Sequence, residues 1–212
     1  MTRRTQGTSA GLDRRRIAAA AVALVDRDGL ERFGVRRLAL ELGVDPMSIY
    51  HHIKGKAALM DAVSEAVLAE VAAAMTDDAP DGWEEIARRT AYSYREMAYR
   101  HPRAFPLLVT RAQTSPVAVS ALEELVTAMR EAGLPGQVVA DAPMVLFSFL
   151  NGHLLARTSD APSAVPAFDA TEYPSMAALA PLMADFGSLA EFDRMLDAVL
   201  AGITVRAARH GD

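Results

Sequence analysis

Residues 35–56 read VRRLALELGVDPMSIYHHIKGK, and this stretch decides how the N-terminal part of the chain folds. Apolar side chains recur in it at i, i+3, i+4 and i+7, in Val35, Leu38, Ala39 and Leu42. That spacing puts all four on one face of a helix. Gly43 follows directly, and glycine readily takes the positive φ that ends a helix. We expect a short helix that ends at a glycine turn.

A second short helix is predicted to begin right after that turn. Asp45 offers a carboxylate to the free amides of the first helical turn, and Pro46 suits the first helical position because it needs no N–H there. Two short helices joined by a glycine turn are typical of the helix-turn-helix motif, whose second helix lies in the major groove of DNA. The stretch therefore indicates a protein that reads double-stranded DNA.

Composition favours an all-α fold. Of the 212 residues 51% are hydrophobic but only 6% are aromatic, so the core consists largely of Ala, Val, Leu and Met. Ala, Leu and Met are strong helix formers, and neither strand-like alternation nor an internal repeat is visible. The absence of cysteine excludes disulfides and cysteine-based zinc sites. With no apolar leader and no unbroken apolar run of spanning length, we expect a cytoplasmic protein without a membrane segment.

Charge is unevenly divided along the chain. Residues 1–60 hold 11 Arg and Lys against 6 Asp and Glu, whereas residues 61–212 hold 11 against 21. The local net charges are therefore +5 and −10, within an overall −5. Such asymmetry favours a basic nucleic-acid module attached to an acidic body with another role, although chance segregation of surface charge is the alternative.

Helix signals continue over the whole chain. After a basic arm over residues 1–12, Asp13 caps a helix that runs to Asp28. Ser188 and Glu191 form a capping box for the last helix. The remaining segments are predicted as helices over 56–75, 83–100, 116–132, 137–158 and 175–185, with a short apolar piece over 105–110, a turn over 76–82 and a long loop over 159–174.

These residues resemble the tetracycline-repressor (TetR) family of bacterial regulators. The likeness is densest from Asp13 to Leu68, through RRLALELGV, IYHHIKGK and the helix that follows. Farther along, Trp83, Tyr94, LVTRAQTSP and FDRMLDAVLAGI resemble the tetracycline-repressor subgroup. The resemblance implies a DNA-binding domain over 13–56 and a domain over 57–212 that binds an effector and dimerises. It further implies a homodimer on a palindromic operator, released when a small molecule binds. We expect the dimer to form through helices 137–158 and 188–209.

Position within the motif assigns roles to the DNA-reading residues. Pro46, Met47 and Ser48 open the second helix and are expected to meet base edges, with Asp45 as their cap. By resemblance, Arg36 reaches bases or phosphate, and Tyr50, His52 and Lys56 bind phosphates. Arg37 and His51 complete the predicted set, although Arg37 is equally well explained as a solvated arginine. Pro46 stands where the tetracycline repressor has glutamine, so the operator sequence of the tetracycline repressor cannot be assigned to this protein. His51 and His52 diverge on a helix, so no metal site is expected.

The effector residues are assigned more weakly. Thr90, Tyr94, Thr110 and Arg111 match pocket positions by resemblance. Helical spacing adds Met97, Leu107, Leu108, Met144, Phe147 and Asn151, for which an ordinary core role is the alternative. Leu107 or Leu108 replaces the histidine with which the tetracycline repressor holds the drug's magnesium. We therefore expect a larger, mostly apolar effector and no cofactor.

Three other functions are the alternatives to a repressor. An enzyme is disfavoured because no G-x-S-x-G, H-E-x-x-H or phosphate-binding glycine loop occurs. A DNA-binding protein without an effector would have a solid core in place of a pocket. An activator of the same family is compatible with every residue named above.

Overall fold

The computed structural model describes residues 11–74, 82–159 and 167–210, and every regular element within these ranges is helical. This confirms the all-α class. In chain order the helices are α1 Arg14–Asp28, α2 Val35–Leu42, α3 Pro46–His52, α4 Gly55–Ala74, α5 Trp83–Arg100, α6 Pro106–Thr110, α7 Pro116–Glu131, α8 Gly136–Thr158, α9 Pro174–Leu179 and α10 Leu189–His210.

The predicted ends of the first three helices are confirmed. The Asp13 carboxylate accepts a 2.7 Å hydrogen bond from the backbone N–H of Arg16 at the start of α1. Gly43 ends α2 in the left-handed region at φ 66°. Asp45 then accepts from the N–H of Met47 at 2.8 Å, and Pro46 is the first residue of α3. Short-range signals therefore set the helix-turn-helix.

The segment before α10 differs from its prediction. Instead of one helix over 175–185, α9 ends at Leu179 and a 3₁₀ turn covers Ala180–Met183. Pro181 explains the change, because it has no N–H to donate and its ring crowds the preceding turn. The predicted loop over 159–174 is irregular in its described part, residues 167–173. Residues 160–166, most of the turn over 76–82 and most of the arm over 1–12 lie outside the described ranges.

The chain divides into two compact units that differ from the predicted division at residue 56. The first consists of Met1–Ala73 and Arg100–Val119, so it includes nearly all of α4 and the whole of α6. Its core contains Ile17, Leu24, Leu38, Ile49, Val63 and Phe105, each at most 2% exposed. Since α4 contributes Val63 and five more buried apolar residues, its packing places it with the motif. The functional boundary itself stays a prediction.

The second unit consists of Ala74–Tyr99 and Ser120–Asp212. Its core is built from α5, α7, α8 and α10, with Met97, Leu125, Met129, Leu146, Leu150, Phe192 and Leu196 at most 2% exposed. At the start of α10 the N–H of Glu191 donates to Ser188 Oγ at 3.0 Å, as the capping box predicts. The Glu191 carboxylate reaches back to the N–H of Gly187, at 2.6 Å, one residue earlier than the standard box.

Helix α8 is long and apolar. Its 23 residues are long and apolar enough to cross a membrane by length and composition alone. The core helix of a soluble protein passes the same test, and 39% of the most apolar stretch is buried within the second unit. The remainder of this apolar stretch is not buried in a single chain.

Candidate DNA-reading surface and effector cluster

The second helix of the motif is held by one face and presents the other to solvent. Ile49 is 1% exposed and Ile53, just past the helix end, is 2% exposed, so these two side chains anchor α3 in the first unit. Met47 is 61% exposed and Tyr50 is 36% exposed. Ser48 is half-buried, and the following histidines are exposed. The side chains assigned to base edges therefore occupy the outer face at the capped end of α3.

The two arginines at the start of α2 have different surroundings. The Arg37 guanidinium donates to Asp28 at 2.8 Å and to the backbone oxygen of Arg32. Arg27 also pairs with Asp28, lowering the pKa of that carboxyl. Arg36 is exposed and makes no ion pair or hydrogen bond with the described residues. Arg36 is thus available to DNA, whereas Arg37 has an intramolecular role that the sequence analysis left open.

The predicted phosphate-binding side chains lie at the end of α3 and the start of α4. Tyr50, His52 and Lys56 are all exposed. Lys54 is exposed in the turn between them and was not in the predicted set. The spacing of lysines in KGK was the signal for it, and the resemblance drew attention to Lys56 alone. The structure therefore places four potential phosphate partners on one short stretch.

The predicted effector residues of the second unit include a compact polar and aromatic cluster. Tyr94 is 3% exposed, and its Oη donates a 2.8 Å hydrogen bond to Oδ1 of Asn151. The rings of Tyr94 and Phe147 meet edge to face, with centroids 5.5 Å apart. Burial raises the pKa of Tyr94, so the phenol remains a hydrogen-bond donor. We refer to Tyr94, Phe147 and Asn151 as the effector cluster.

The other predicted residues on these helices have ordinary surroundings. Thr90 is buried, and its hydroxyl donates to the backbone oxygen of Ile86 at 2.7 Å. Met97 is 1% exposed and lies in the core, whereas Met144 is 70% exposed. Helical spacing alone therefore selected one core residue and one surface residue. Their part in effector binding stays a prediction.

The four predicted residues in and just after α6 belong to the first unit. Leu107 and Leu108 are buried, at 7% and 3% exposed. The Thr110 hydroxyl donates to the backbone oxygen of Pro106. Arg111 donates to Asp61 through Nε at 3.0 Å and to the backbone oxygen of Ala57, so its guanidinium is engaged with α4. Arg111 therefore has an intramolecular partner in α4, which the sequence pattern did not predict.

A second polar cluster, around Arg157 and Glu191, was missed because its members are far apart in sequence. The two side chains are only 10% and 8% exposed and form an ion pair at 2.8 Å. The guanidinium also lies 3.5 Å above the ring centre of Phe186. Burial opposes ionisation of Glu191, but the N–H of Gly187 and Arg157 outweigh it and lower the pKa. This pair joins the end of α8 to the start of α10.

His153 lies beside that pair. Its ring centre is 5.5 Å from that of Phe149 and 5.6 Å from that of Phe192. Burial, assisted by Arg157, lowers the pKa of His153 and favours the neutral ring. In the described ranges no three His, Asp or Glu side chains converge as a metal site would require.

Two family descriptions match the chain. Residues 17–63 match "Bacterial regulatory proteins, tetR family", and residues 76–207 match "Tetracyclin repressor-like, C-terminal domain". Both describe regulators, and neither describes an enzyme. The first match falls on α1–α4 and includes the helix-turn-helix, and the second covers the elements that carry the effector cluster.

The chain is also similar to individual regulators of known name or structure. The transcriptional repressor DrrR1 of Streptomyces coeruleorubidus is 31% identical over 71% of this chain and 55% of its own length. The class D tetracycline repressor of Escherichia coli is 32% identical over 43% of this chain and 42% of its own. The chain therefore matches about half the length of each repressor. The structure of the Streptomyces coelicolor TetR family protein ActR in complex with actinorhodin superposes with a TM-score of 0.79, at 25% identity, over 93% of this chain and 99% of that one.

Proposed function

This chain belongs to the tetracyclin repressor-like family of bacterial regulatory proteins, and we propose that it is a transcriptional repressor released from its operator by a small molecule. The observation that carries the proposal is the exposed outer face of α3, which is capped by Asp45 and anchored from behind by Ile49. The outer side chains of such a helix can enter a DNA groove while its buried side chains stay packed in the first unit. The likeness to DrrR1 and to class D supports repression.

Base recognition is assigned to Arg36, Pro46, Met47 and Ser48. An arginine can bind guanine through two hydrogen bonds, and the Met47 and Pro46 side chains offer apolar contact to thymine methyl groups. Tyr50, His51, His52, Lys54 and Lys56 supply the phosphate side of the surface. Phosphate contacts fix position and affinity but carry no sequence information. The operator is therefore specified by few side chains.

We infer a homodimer through α8 and α10. Val145, Ser148 and Gly152 on α8 are exposed, as are Ala198 and Gly202 on α10. These residues are spaced by three and four, the spacing of a helix-packing face. A groove of about 310 Å³ runs between the two helices and is lined by Val145, Ala198 and Gly202 among others. Small and apolar residues allow close approach of a second pair of helices, which supports a four-helix interface and explains the apolar surface of α8.

A dimer of this kind predicts a palindromic operator, because two-fold symmetry of the protein is matched by two-fold symmetry of its site. Light scattering at micromolar concentration is expected to give twice the chain mass of 22.7 kDa. Val145→Glu places a charge in the proposed interface and is expected to yield the single-chain mass. Val119→Glu, the same change at an exposed valine of α7, is the matched control. A single-chain mass for the unaltered protein would rule the interface out.

The effector is proposed to be a mostly apolar molecule that contains an aromatic ring system and at least one hydrogen-bonding group. Phe147 offers a ring surface, and the Tyr94–Asn151 pair offers a donor and an acceptor at the same place. ActR has been solved in complex with actinorhodin, which supports a small-molecule effector for a protein of this fold.

Two successive experiments test this function. Selection from a random duplex library should enrich a palindrome, and enrichment of no sequence would contradict specific repression. Actinorhodin and tetracycline with magnesium are then added to the selected complex and to the free protein. Release of DNA together with a raised melting temperature supports effector control, because a ligand stabilises the state that it binds. DNA binding unaffected by a broad panel of aromatic compounds favours an effector-independent protein, and increased transcription from the operator favours an activator.

A further inference from the structure

A polar cleft of about 300 Å³ lies within the first unit. Its walls are the start of α1 at Arg14, the α4 residues Asp61, Ser64 and Glu65, and residues 112–116, which lead from α6 into α7. This volume falls at the lower end of the range for small-molecule sites. The cleft shares no residue with the effector cluster, so a ligand that occupies it binds the first unit at a separate place.

Ser64 is the polar group that the fold leaves unused in this cleft. The residue is 4% exposed, and its Oγ is buried without a hydrogen-bond partner among the described residues. Helical hydroxyls usually donate to the backbone oxygen four residues earlier, as Thr110 and Thr158 do here. Ser64 makes no such bond. A buried hydroxyl without a partner is unfavourable, so a group that enters the cleft and pairs with it is stabilised.

The charged side chains around the cleft neutralise one another. Arg14 pairs with Glu65 at 3.1 Å, and Asp61 accepts a 3.0 Å hydrogen bond from Nε of Arg111. Each acid of the lining therefore already has a cation beside it. An anion or a metal ion that entered would compete with one of these pairs, whereas an uncharged molecule leaves both intact. The charge distribution favours a neutral ligand.

The uncharged groups of the cleft include both donors and acceptors. Gln113 directs its amide nitrogen to the backbone oxygens of Leu107, Leu108 and Arg111, which leaves its Oε1 as an acceptor. The Thr114 side chain is exposed, and its hydroxyl makes no hydrogen bond with the described residues. No aromatic ring is among the described residues that line the cleft. The site therefore suits a molecule rich in hydroxyl groups better than a flat aromatic one.

We propose that this cleft binds a small neutral polyol, such as a monosaccharide or a cyclitol, through Ser64, Gln113 and Thr114. A ligand hydroxyl both donates and accepts, so it can pair with the Ser64 hydroxyl and with Oε1 of Gln113 alike. The serine hydroxyl can turn between staggered χ1 positions to meet it. Because such a ligand contacts α4 and the segment after α6 together, it stabilises the first unit.

Ser64→Ala tests whether the hydroxyl is unused in the free protein. Removing an unpartnered buried hydroxyl does not destabilise a fold, whereas removing one that has an internal hydrogen bond does. Ser120→Ala, at an exposed serine of α7, is the control that measures the gain from helix propensity alone. In urea unfolding of the full chain, Ser64→Ala should be at least as stable as Ser120→Ala. A less stable Ser64→Ala variant means that the hydroxyl has an internal partner and overturns the proposal.

Binding is tested by NMR spectra of the full-length protein with D-glucose, myo-inositol or glycerol at millimolar concentration. At least one of these polyols should shift the signals of Ser64, Gln113 and Thr114. The affinity for it should fall by about tenfold in Ser64→Ala, the loss expected for one hydrogen bond, and stay unchanged in Ser120→Ala. Equal affinity in Ser64→Ala, or no shift at these residues with any of the three polyols, overturns the proposal.

Sodium acetate at the same concentration tests the neutral character of the site. It should leave the signals of the cleft unchanged, because Arg14 and Arg111 are already paired with acids. Larger shifts with acetate than with the polyols would identify an anion site and contradict the proposal. None of these measurements uses DNA, so they decide the polyol site whether or not an operator is found.

Discussion

Tyr94 in α5 donates its phenolic proton to Asn151 in α8, across 57 residues of sequence. Tyr94 is buried and the bond itself is part-buried, and the ring of Phe147 meets the phenol edge on. Burial raises the pKa of Tyr94 and keeps it a donor at every physiological pH. An effector that enters here can replace one partner of this bond, which makes the pair a sensitive reporter of binding.

We expect Tyr94→Phe to lower the free energy of unfolding by about 1–3 kcal/mol, because the Asn151 oxygen loses its donor in a buried place. Urea unfolding followed by circular dichroism measures the loss. An effector that binds through the phenol should also show weaker binding to this variant. A change confined to stability would restrict the pair to a structural role.

Tyr92→Phe is the matched control for that measurement. Its hydroxyl donates to Asp193 at 2.9 Å, also between α5 and a later helix, but at the exposed surface. Water replaces the lost partner there, so the free energy of unfolding should change by less than it does in Tyr94→Phe. Equal losses in the two variants would show that burial of the Tyr94 bond is unimportant.

Asp45→Ala should destabilise the first unit by about 1 kcal/mol and weaken operator binding, because α3 loses the acceptor for the N–H of Met47. Asp45→Asn keeps a capping oxygen and should retain most of the stability. Thermal melting separates the two variants. Should Asn prove as damaging as Ala, the negative charge of Asp45 would matter more than its hydrogen bond.

Lys56→Ala should weaken binding to all duplexes alike and reduce the slope of log affinity against log salt by about one unit, since one phosphate contact is lost. Titrations at several salt concentrations measure the slope. Arg130→Ala, an exposed cation at the end of α7, is the control and should leave it unchanged. An unaltered slope for Lys56→Ala removes this residue from the phosphate set.

His153 should make the second unit less stable as the pH falls. Burial lowers the pKa of this ring, so the unfolded chain takes up its proton before the folded chain does. The contribution of the neutral ring is present above about pH 6.5 and is lost as the pH falls below that value. It should amount to less than about 1 kcal/mol, because the half-exposed ring is partly screened by water. Unfolding profiles should therefore be flatter over about pH 5–7 in His153→Gln, and a profile parallel to that of the unaltered protein would contradict this.

Local signals in the sequence were sufficient for most of the fold. Asp13, Gly43, Asp45 and Ser188 act within four residues of their own positions, so helix ends could be predicted without knowledge of the packing. The exception, Pro181, also acts locally, and its effect on the turn after α9 was overlooked. The exposed residues of α3 follow equally from helical periodicity.

Long-range pairings could not be predicted in this way. Arg111 was assigned to the effector by resemblance, yet its guanidinium pairs with Asp61, 50 residues earlier. Arg157 and Glu191 are separated by 34 residues, and the capping box that contains Glu191 gives no indication of a partner in α8. Which oppositely charged residues meet depends on how the helices pack, and the packing cannot be predicted from local patterns in a single sequence.

The first unit is assembled from two stretches of chain that are not consecutive, the second of them Arg100–Val119. A ribosome has therefore synthesised the entire helix-turn-helix well before it supplies Phe105, His101 and Arg111, which complete the surroundings of α1 and α4. A fragment that stops after α4 would contain every side chain proposed to read bases and still lack part of its own interior. Transplanting the proposed DNA specificity to another regulator is consequently a matter of exchanging the few outward side chains of α2 and α3, and not of moving the first seventy residues as a block.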